Sequence, residues 1–140
     1  MTDDDFACTR LLFLVTDLGM LTYWSVTALH ALGVLHLPPA WLYSDYADPV
    51  VTSWNWSFLP LDLLLSLSGL AAARLHARGH PGWRPLALAS LGLTFCAGFM
   101  AVSFWAVRCE FDPVWWGLNL WLVAWPAAFA PRLWRTLARA

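Results

Sequence analysis

The chain has 140 residues and a formal net charge of −1; 60% of its residues are hydrophobic and only 12% are charged. Soluble domains carry about 25% charged residues, so this composition favours a membrane protein. A chain without a basic surface is unsuited to binding phosphates, which excludes nucleic acid as a partner. The three cysteines are far apart and form no C-x-x-C motif, so we expect neither a redox pair nor a zinc site, and no cofactor.

Four apolar segments are each close to the ~20 residues that cross ~30 Å of hydrocarbon. We expect helices at about 11–35, 49–78, 83–107 and 113–136, within one membrane domain, 1–140. The second and fourth helices begin with Asp48-Pro49 and Asp112-Pro113, in which Asp caps the helix and Pro takes its first position. Because the connections are short, sequential helices should pack as antiparallel neighbours. The sequence therefore predicts an all-α, up-down-up-down four-helix bundle in a lipid bilayer.

The arginines predict how this bundle is oriented, since the chain has eight arginines and no lysine. Seven of them fall on one side of the predicted zigzag and Arg108 falls on the other. The seven are Arg10, Arg74, Arg78, Arg84, Arg132, Arg135 and Arg139. Cytoplasmic loops carry an excess of Lys and Arg, so we expect a multi-pass protein of the bacterial plasma membrane with both termini in the cytoplasm.

Asp62 is the most unusual residue, because it lies in the apolar stretch SWNWSFLPLDLLLSL. An ionisable group inside a membrane is costly, and no Arg or Lys is predicted at its depth. Pro60 should kink the second helix just before this acid, and Pro126 should kink the fourth, which together would open a pocket. Without a cationic partner, we expect Asp62 to be held as the neutral acid, ready to donate its proton.

Other polar side chains are predicted at the depth of Asp62, in the outer half of the bundle. The first helix carries Tyr23, Thr27 and His30, whose spacing of four and three residues places them on one face. The fourth helix carries Asn119. We expect the catalytic groups to be Asp62, Asn119, Tyr23 and Asp17, with Asn119 and Tyr23 holding the acid or a relay water. We expect the substrate to be bound by Trp24, Thr27, Asn55, Phe58, Phe99, Trp105, Trp115 and Trp121.

Each of these residues also has a structural interpretation. Many tryptophans of membrane proteins are interfacial anchors, and Trp41, Trp54, Trp56, Trp83, Trp115, Trp116 and Trp134 fit that role. An intramembrane Asn commonly forms an interhelical hydrogen bond, which would explain Asn119. His30 is close enough to the interface to reach water. Asp17 could pair with a Thr or with an Arg near the cytoplasmic face.

Three stretches carry a resemblance to a known family: LVTDLGMLTYWSVTALH, DYADPVVTSWNWSFLPLDLLLS and FW…FDPVWWGLNLWLVAWP. They resemble the YvaD-like family of small four-helix bacterial membrane proteins, a group without assigned function. The resemblance covers most of the chain, and WNWSF-x-PLDL is its most specific part. It implies the fold and the topology, and it assigns no catalytic residues.

The chain also resembles membrane-integral terpene cyclases, which are small helical bundles that use acidic residues to protonate an alkene or epoxide. This resemblance is an analogy of parts and rests on no shared motif. Such chemistry requires a neutral acid, exclusion of water and aromatic faces around the developing cation. Asp62 among Trp and Phe therefore predicts a membrane-embedded terpene cyclase, an isomerase or lyase, that binds a hydrophobic isoprenoid-type molecule. No Asp-rich magnesium motif occurs, which disfavours a reaction initiated by ionisation.

Two other classes of protein remain open at this point. A small proton-coupled transporter would use Asp62 and Asp17, at different depths, as relay points. A non-catalytic membrane subunit needs no site at all. A haem protein fits poorly, because His30 is predicted at one side of the membrane and His76 and His80 at the other. The sequence leaves a homodimer, the substrate and the ring pattern of a product open.

Overall fold

The computed structural model describes residues 3–138, and for residues 3–8 and Ala40 it describes the backbone alone. All regular structure in this range is helical, which confirms the all-α prediction. The helices are α1 (Asp3–Ala31), α2 (Pro49–Ser57), α3 (Leu59–Ala77), α4 (Trp83–Val107) and α5 (Pro113–Leu137), with one 3-10 turn at Pro39–Trp41.

One helix boundary differs from the sequence prediction, and one helical segment is interrupted. The first helix ends at Ala31 and not near residue 35, because Gly33 adopts a left-handed φ of 72° that a continuing helix does not allow. The second helical segment runs over Pro49–Ala77 and is interrupted at the single residue Phe58, beside Pro60, where the sequence predicts a kink. Pro60 has no N–H to continue α2, and it instead lies in the first turn of α3, where no N–H is required.

The two Asp-Pro pairs start their helices as the sequence predicts. Asp48 Oδ1 accepts hydrogen bonds from the backbone N–H groups of Val50 (2.7 Å) and Val51 (3.2 Å) at the start of α2. Asp112 Oδ1 caps α5 in the same way. α5 then runs as one helix through Pro126. The helical assignment is therefore interrupted at Phe58, four residues before Asp62, but not at Pro126.

The helices form an antiparallel ring. α1 packs on α3, α3 on α4 and α4 on α5. α1 meets α5 through large side chains, with ring centroids 5.2 Å apart for Phe13 and Trp125 and 5.8 Å apart for Tyr23 and Trp115. Since the later residue of α1 pairs with the earlier residue of α5, these two helices run in opposite directions.

Close approach of the helices depends on two glycines. A Cβ at Gly69 of α3 would overlap the carboxyl group of Asp17, and a Cβ at Gly98 of α4 would overlap the backbone of α5 at Asn119. Small residues at such positions are typical of helix packing in membranes. Gly69 therefore sets the separation of α1 and α3, and Gly98 sets that of α4 and α5.

The bundle has two chemically different ends. The loop end carries the 32–48 loop and the turn before α5, and the termini end carries the 78–82 turn and both ends of the chain. At the loop end, Arg108 forms ion pairs with Asp45 (2.6 Å) and Glu110 (2.8 Å), which tie the two loops together. The hydrogen bond to Glu110, and then the charge of Asp45, raise the pKa of the Arg108 guanidinium. The other arginines of the described range lie toward the termini end.

Three helical segments of the described range are long and apolar enough to cross a membrane: Thr9–Ala31, Pro49–Ala77 and Trp83–Val107. α5 is of similar length but less apolar, because it contains Asn119, two internal prolines and several tryptophans. Large apolar side chains such as Leu64, Leu67 and Met100 are exposed on the outside of the bundle. Such an apolar exterior fits contact with lipid and indicates association with a membrane.

The interior contains two apolar clusters, one toward each end. The cluster toward the termini end consists of Phe13, Ala72, Trp83, Ala87, Leu91, Trp125 and Leu133. The cluster toward the loop end consists of Trp24, Phe58, Leu65, Ala97 and Ala101. Trp83, predicted as an interfacial anchor, is only 2% exposed, because α4 turns it into the first cluster. The second cluster borders the cavity described next.

Candidate functional site

A cavity of about 310 Å³ lies between α1 and α5 in the loop-end half of the bundle. Side chains from α1 to α5 and from the 32–48 loop line it, and most of them are apolar or aromatic. Its aromatic lining consists of Tyr23, Trp24, Tyr43, Trp54, Phe58, Trp105, Trp115 and Trp121. Its polar lining includes Thr16, Asn55, Asp62 and Asn119. A largely apolar cavity with a few polar groups is typical of a small-molecule site.

Asp62 supplies the carboxyl group in the cavity wall. It lies in the first turn of α3, where its backbone N–H donates to the carbonyl of Phe58 (2.8 Å). Its side chain is 4% exposed, and Oδ2 accepts a 2.8 Å hydrogen bond from Trp24 Nε1. Oδ1 has no hydrogen-bond partner among the described residues, and no ion pair to Asp62 is seen there. One carboxyl oxygen is therefore bonded to Trp24, and the other is buried without a partner among the described residues.

Trp24 lines the cavity, as the sequence predicts, and it also has a role that the sequence does not indicate. We expected an aromatic wall residue, and its ring does pack against Trp56, with centroids 5.4 Å apart. Its indole N–H, however, is the group that orients Asp62. The hydrogen bond joins residues 38 positions apart, and no local pattern in the sequence indicates it.

Tyr23 and Asn119 line the cavity without holding the acid. The Tyr23 hydroxyl donates to Asn55 Oδ1 (3.1 Å). Asn119 Nδ2 donates to the carbonyl of Trp115 in its own helix (2.7 Å), so its amide forms neither the expected interhelical bond nor a bond to Asp62. Neither residue donates a hydrogen bond to Asp62 in the described range, and whether they hold a relay water stays a prediction.

Phe99, which the sequence predicts to bind the substrate, does not line the cavity. It is 56% exposed and packs against Phe95 on the outside of α4, with parallel rings 5.8 Å apart. α4 lines the cavity with Ala97, Ala101 and Trp105, which are spaced by four residues and share one face. Phe99 lies two residues from Ala97, so its side chain faces away from the cavity, although it lies at the depth of the cavity along α4.

Thr27 lies in a second cavity, of about 340 Å³, between the 32–48 loop and the ends of α1 and α2. Tyr23, Tyr43 and Trp115 line both cavities and so separate them. His30 also borders the second cavity, and its Nδ1 accepts a hydrogen bond from the backbone N–H of Leu37 (3.2 Å). His30 therefore fixes the loop.

A family model described as "Family of unknown function (DUF5360)" matches residues 9–140. The chain belongs to this family. The family match confirms the resemblance carried by the stretches around Tyr23, Asp62 and Asn119. An uncharacterized protein of Bacillus subtilis (strain 168), YvaD, is 40% identical over 120 residues, which is 86% of each chain. No solved structure matches the chain.

Asp17, the second predicted acid, does not line the cavity of this DUF5360 protein. It is 0% exposed and lies against Gly69 of α3. Neither of its carboxyl oxygens has a hydrogen-bond partner among the described residues, so the expected pairing with a Thr or an Arg is not formed there. In the same part of the chain, no three His, Cys, Asp or Glu side chains are grouped closely enough to bind a metal ion.

Tyr43 and Trp54 line the cavity, but sequence reasoning did not place them there. The sequence predicts Trp54 as an interfacial anchor, yet its ring lines the cavity and stacks on Phe104 of α4 with centroids 3.7 Å apart. Trp54 precedes Phe58 by four residues, a spacing that places both side chains on one face of a helix. This spacing was the signal from which its position in the cavity could have been predicted. Tyr43 lies in the 32–48 loop, whose sequence has no periodicity from which its direction could be read.

Proposed function

We propose that this protein is a membrane-embedded isoprenoid cyclase in which Asp62 protonates an alkene or an epoxide. The observation that carries the proposal is the carboxyl group of Asp62, which is buried in the wall of an aromatic cavity with one oxygen unpartnered among the described residues. The volume of about 310 Å³ is at the lower end of the range for small-molecule sites. A compact hydrophobic substrate fits this volume.

The first step transfers a proton from Asp62 Oδ1 to one carbon of the substrate double bond. The electron pair of that double bond forms the new C–H bond, which leaves a cation on the neighbouring carbon and a carboxylate on Asp62. The Trp24 N–H, already bonded to Oδ2 at 2.8 Å, stabilises this carboxylate. A second double bond of the substrate then attacks the cation and closes the ring. The cyclised cation finally gives a proton to a water molecule at the mouth of the cavity, which leaves Asp62 as the carboxylate.

The aromatic lining supports the cationic intermediates. Positive charge is attracted to the faces of Trp, Tyr and Phe within about 6 Å of the ring centre. Trp105, Trp115 and Phe58 line the cavity from three different helices, so a cation that moves along the substrate meets a ring on several sides. The scarcity of polar lining groups also keeps water from intercepting the cation.

The membrane placement belongs to the same proposal. The arginine partition favours a multi-pass protein of the bacterial plasma membrane with the termini end in the cytoplasm. The substrate would then enter the outer half from the lipid, between α1 and α5. One chain supplies the whole described lining, so the proposal does not require a homodimer.

The test measures product formation in membranes that contain the protein. Linear isoprenoids with terminal alkenes or epoxides are the substrates, and products are identified by mass spectrometry. Asp62→Asn keeps the shape of the side chain and removes its proton; we expect a loss of about 10² or more in rate, as for a general acid. The matched control is Asp45→Asn at the exposed loop end, which should cyclise normally. Equal rates for the two variants would contradict the proposal.

A proton-coupled transporter is the second candidate, and the burial of Asp17 away from the cavity favours it. The two functions separate in liposomes loaded with a pH-sensitive dye. A transporter would move protons across the membrane in a manner abolished by Asp62→Asn and would convert none of the isoprenoids. A cyclase would convert the substrate without net proton movement.

A further inference from the structure

A row of buried oxygen atoms continues along α3 beyond the floor of the cavity. Asp62, Ser66 and Gly69 lie on one face of α3 at helical spacing, and all three are buried. Ser66 is 0% exposed. Neither Asp62 Oδ1 nor Ser66 Oγ has a hydrogen-bond partner among the residues that the structure describes. The polar groups of this face are therefore enclosed but not satisfied by the protein.

Asp17 of α1 lies at the far end of the same row. Its carboxyl group occupies the space that a side chain at Gly69 would fill. Asp17 precedes Trp24 by seven residues, and Gly69 follows Asp62 by seven, so the antiparallel helices hold the two contacts in register. Seven residues of helix span about 10 Å. Ser66 therefore lies between the two carboxyl groups.

Buried polar atoms in native proteins nearly always have a partner, and ordered water is the usual one where protein groups are lacking. Four oxygen atoms of this row lack a partner in the described range: both of Asp17, one of Ser66 and one of Asp62. A purely structural role for Asp17 would predict a direct interhelical hydrogen bond, which is not formed. Enclosed water that linked the three side chains would satisfy all four atoms.

We propose that Asp17 and Ser66 form a proton relay that restores the proton of Asp62 after each turnover. This inference rests on the proposed function, since only an acid that has given up its proton needs a new one. The proton of Asp17 passes to enclosed water, and the water passes a proton to the Ser66 hydroxyl as that hydroxyl gives its own to the Asp62 carboxylate. Asp17 is left as the carboxylate and regains a proton from the termini end.

The test follows hydrogen–deuterium exchange at the Asp62 carboxyl group by infrared spectroscopy, without any substrate. Membranes that contain the protein are transferred from H₂O to D₂O, and the C=O stretch of the protonated acid shifts as deuterium enters. The band that disappears in Asp62→Asn identifies Asp62. We expect Asp17→Asn and Ser66→Ala each to slow this shift by roughly 10² or more, the lower end of what a positioned proton-transfer group contributes.

Ser68→Ala is the matched control. Ser68 lies on the same helix and donates to the carbonyl of Leu65 (2.9 Å), so this variant loses a hydroxyl of α3 outside the row. Its exchange should equal that of the unaltered protein. Equally slow exchange in Ser68→Ala would mean that the slowing is not specific to the row of Asp62, Ser66 and Asp17, and it would overturn the relay.

The outcomes separate the relay from the function on which it rests. If the Asp62 band is present and exchanges at the same rate in Asp17→Asn or in Ser66→Ala, the relay is wrong while the acid role of Asp62 stands. If no band of a protonated Asp62 exists, both proposals fail. Slow exchange in both variants, with the control unchanged, is the result that the relay predicts.

Discussion

The indole Nε1 of Trp24 donates a 2.8 Å hydrogen bond to Oδ2 of Asp62, and this bond joins α1 to α3 at the wall of the cavity. Both side chains are buried. Since Oδ1 has no partner within the described range, Trp24 is the group that fixes the direction of the carboxyl group. The proposed acid thus depends on a residue that is also part of the aromatic lining.

Trp24→Phe should destabilise the protein by about 1–3 kcal/mol, because it leaves a buried carboxyl group without its donor while keeping an aromatic ring. Unfolding in mixed detergent micelles, followed by circular dichroism, measures the change. Trp41→Phe is the control, since Trp41 is 72% exposed at the loop end. Equal stability of the two variants would show that the Trp24–Asp62 bond contributes nothing.

Gly69→Ala should destabilise the contact of α1 with α3, because its new methyl group would overlap the Asp17 carboxyl group. Forcing an extra carbon into a packed interior costs typically about 1–3 kcal/mol. Gly92→Ala on α4 is the control, since nothing lies within 4 Å of its Cβ position. Both changes remove a helical glycine, so the difference between their unfolding free energies isolates the packing at Asp17. The prediction fails if Gly69→Ala is as stable as Gly92→Ala.

The starts of α2 and α5 could be predicted from the sequence, because a helix start depends on local chemistry. Asp48-Pro49 and Asp112-Pro113 begin α2 and α5 at the predicted residues, since a cap and a proline act on their own turn. The break at Phe58 had a local signal in Pro60, but proline can kink a helix or start one. In the structure, Pro60 lies in the first turn of α3.

The arrangement of the site was harder to predict, because it depends on how each helix is rotated. Counting residues from the loop end gave Phe99 a suitable depth, yet the rotation of α4 turns it toward the outside. The bond between Trp24 and Asp62 requires both the register and the rotation of two helices. Asp17 was predicted as a catalytic group or as the partner of a Thr or an Arg, and its contact with Gly69 was not predicted.

Trp105→Leu should slow cyclisation, because it removes a ring from the cavity wall and keeps an apolar side chain. A cation over an aromatic face gains about 0.5–2 kcal/mol, and the barrier should rise by a similar amount. Phe99→Leu on the outer face of the same helix is the control and should leave the rate unchanged. A slower Phe99→Leu with a normal Trp105→Leu would place the substrate outside the cavity.

Cysteine labelling in intact cells tests the orientation of the bundle. Cys109 is exposed at the loop end, so a maleimide that does not cross membranes should label it from outside. The side chain of Cys8 lies outside the described residues, and the arginine partition predicts that it reacts only after permeabilisation. Cys96 is exposed on α4 and is replaced by Ala to remove background. Labelling of both remaining cysteines in intact cells would refute the orientation.

Deuterium transfer from solvent to product tests protonation by Asp62 most directly. Membranes equilibrated in D₂O are supplied with an unlabelled linear isoprenoid, and the cyclised product is analysed by mass spectrometry. Because the first new bond is formed with the proton of Asp62, each product molecule should carry one deuterium at the carbon that was protonated. A cyclised product that contains no deuterium would contradict the assignment of Asp62 as the initiating acid.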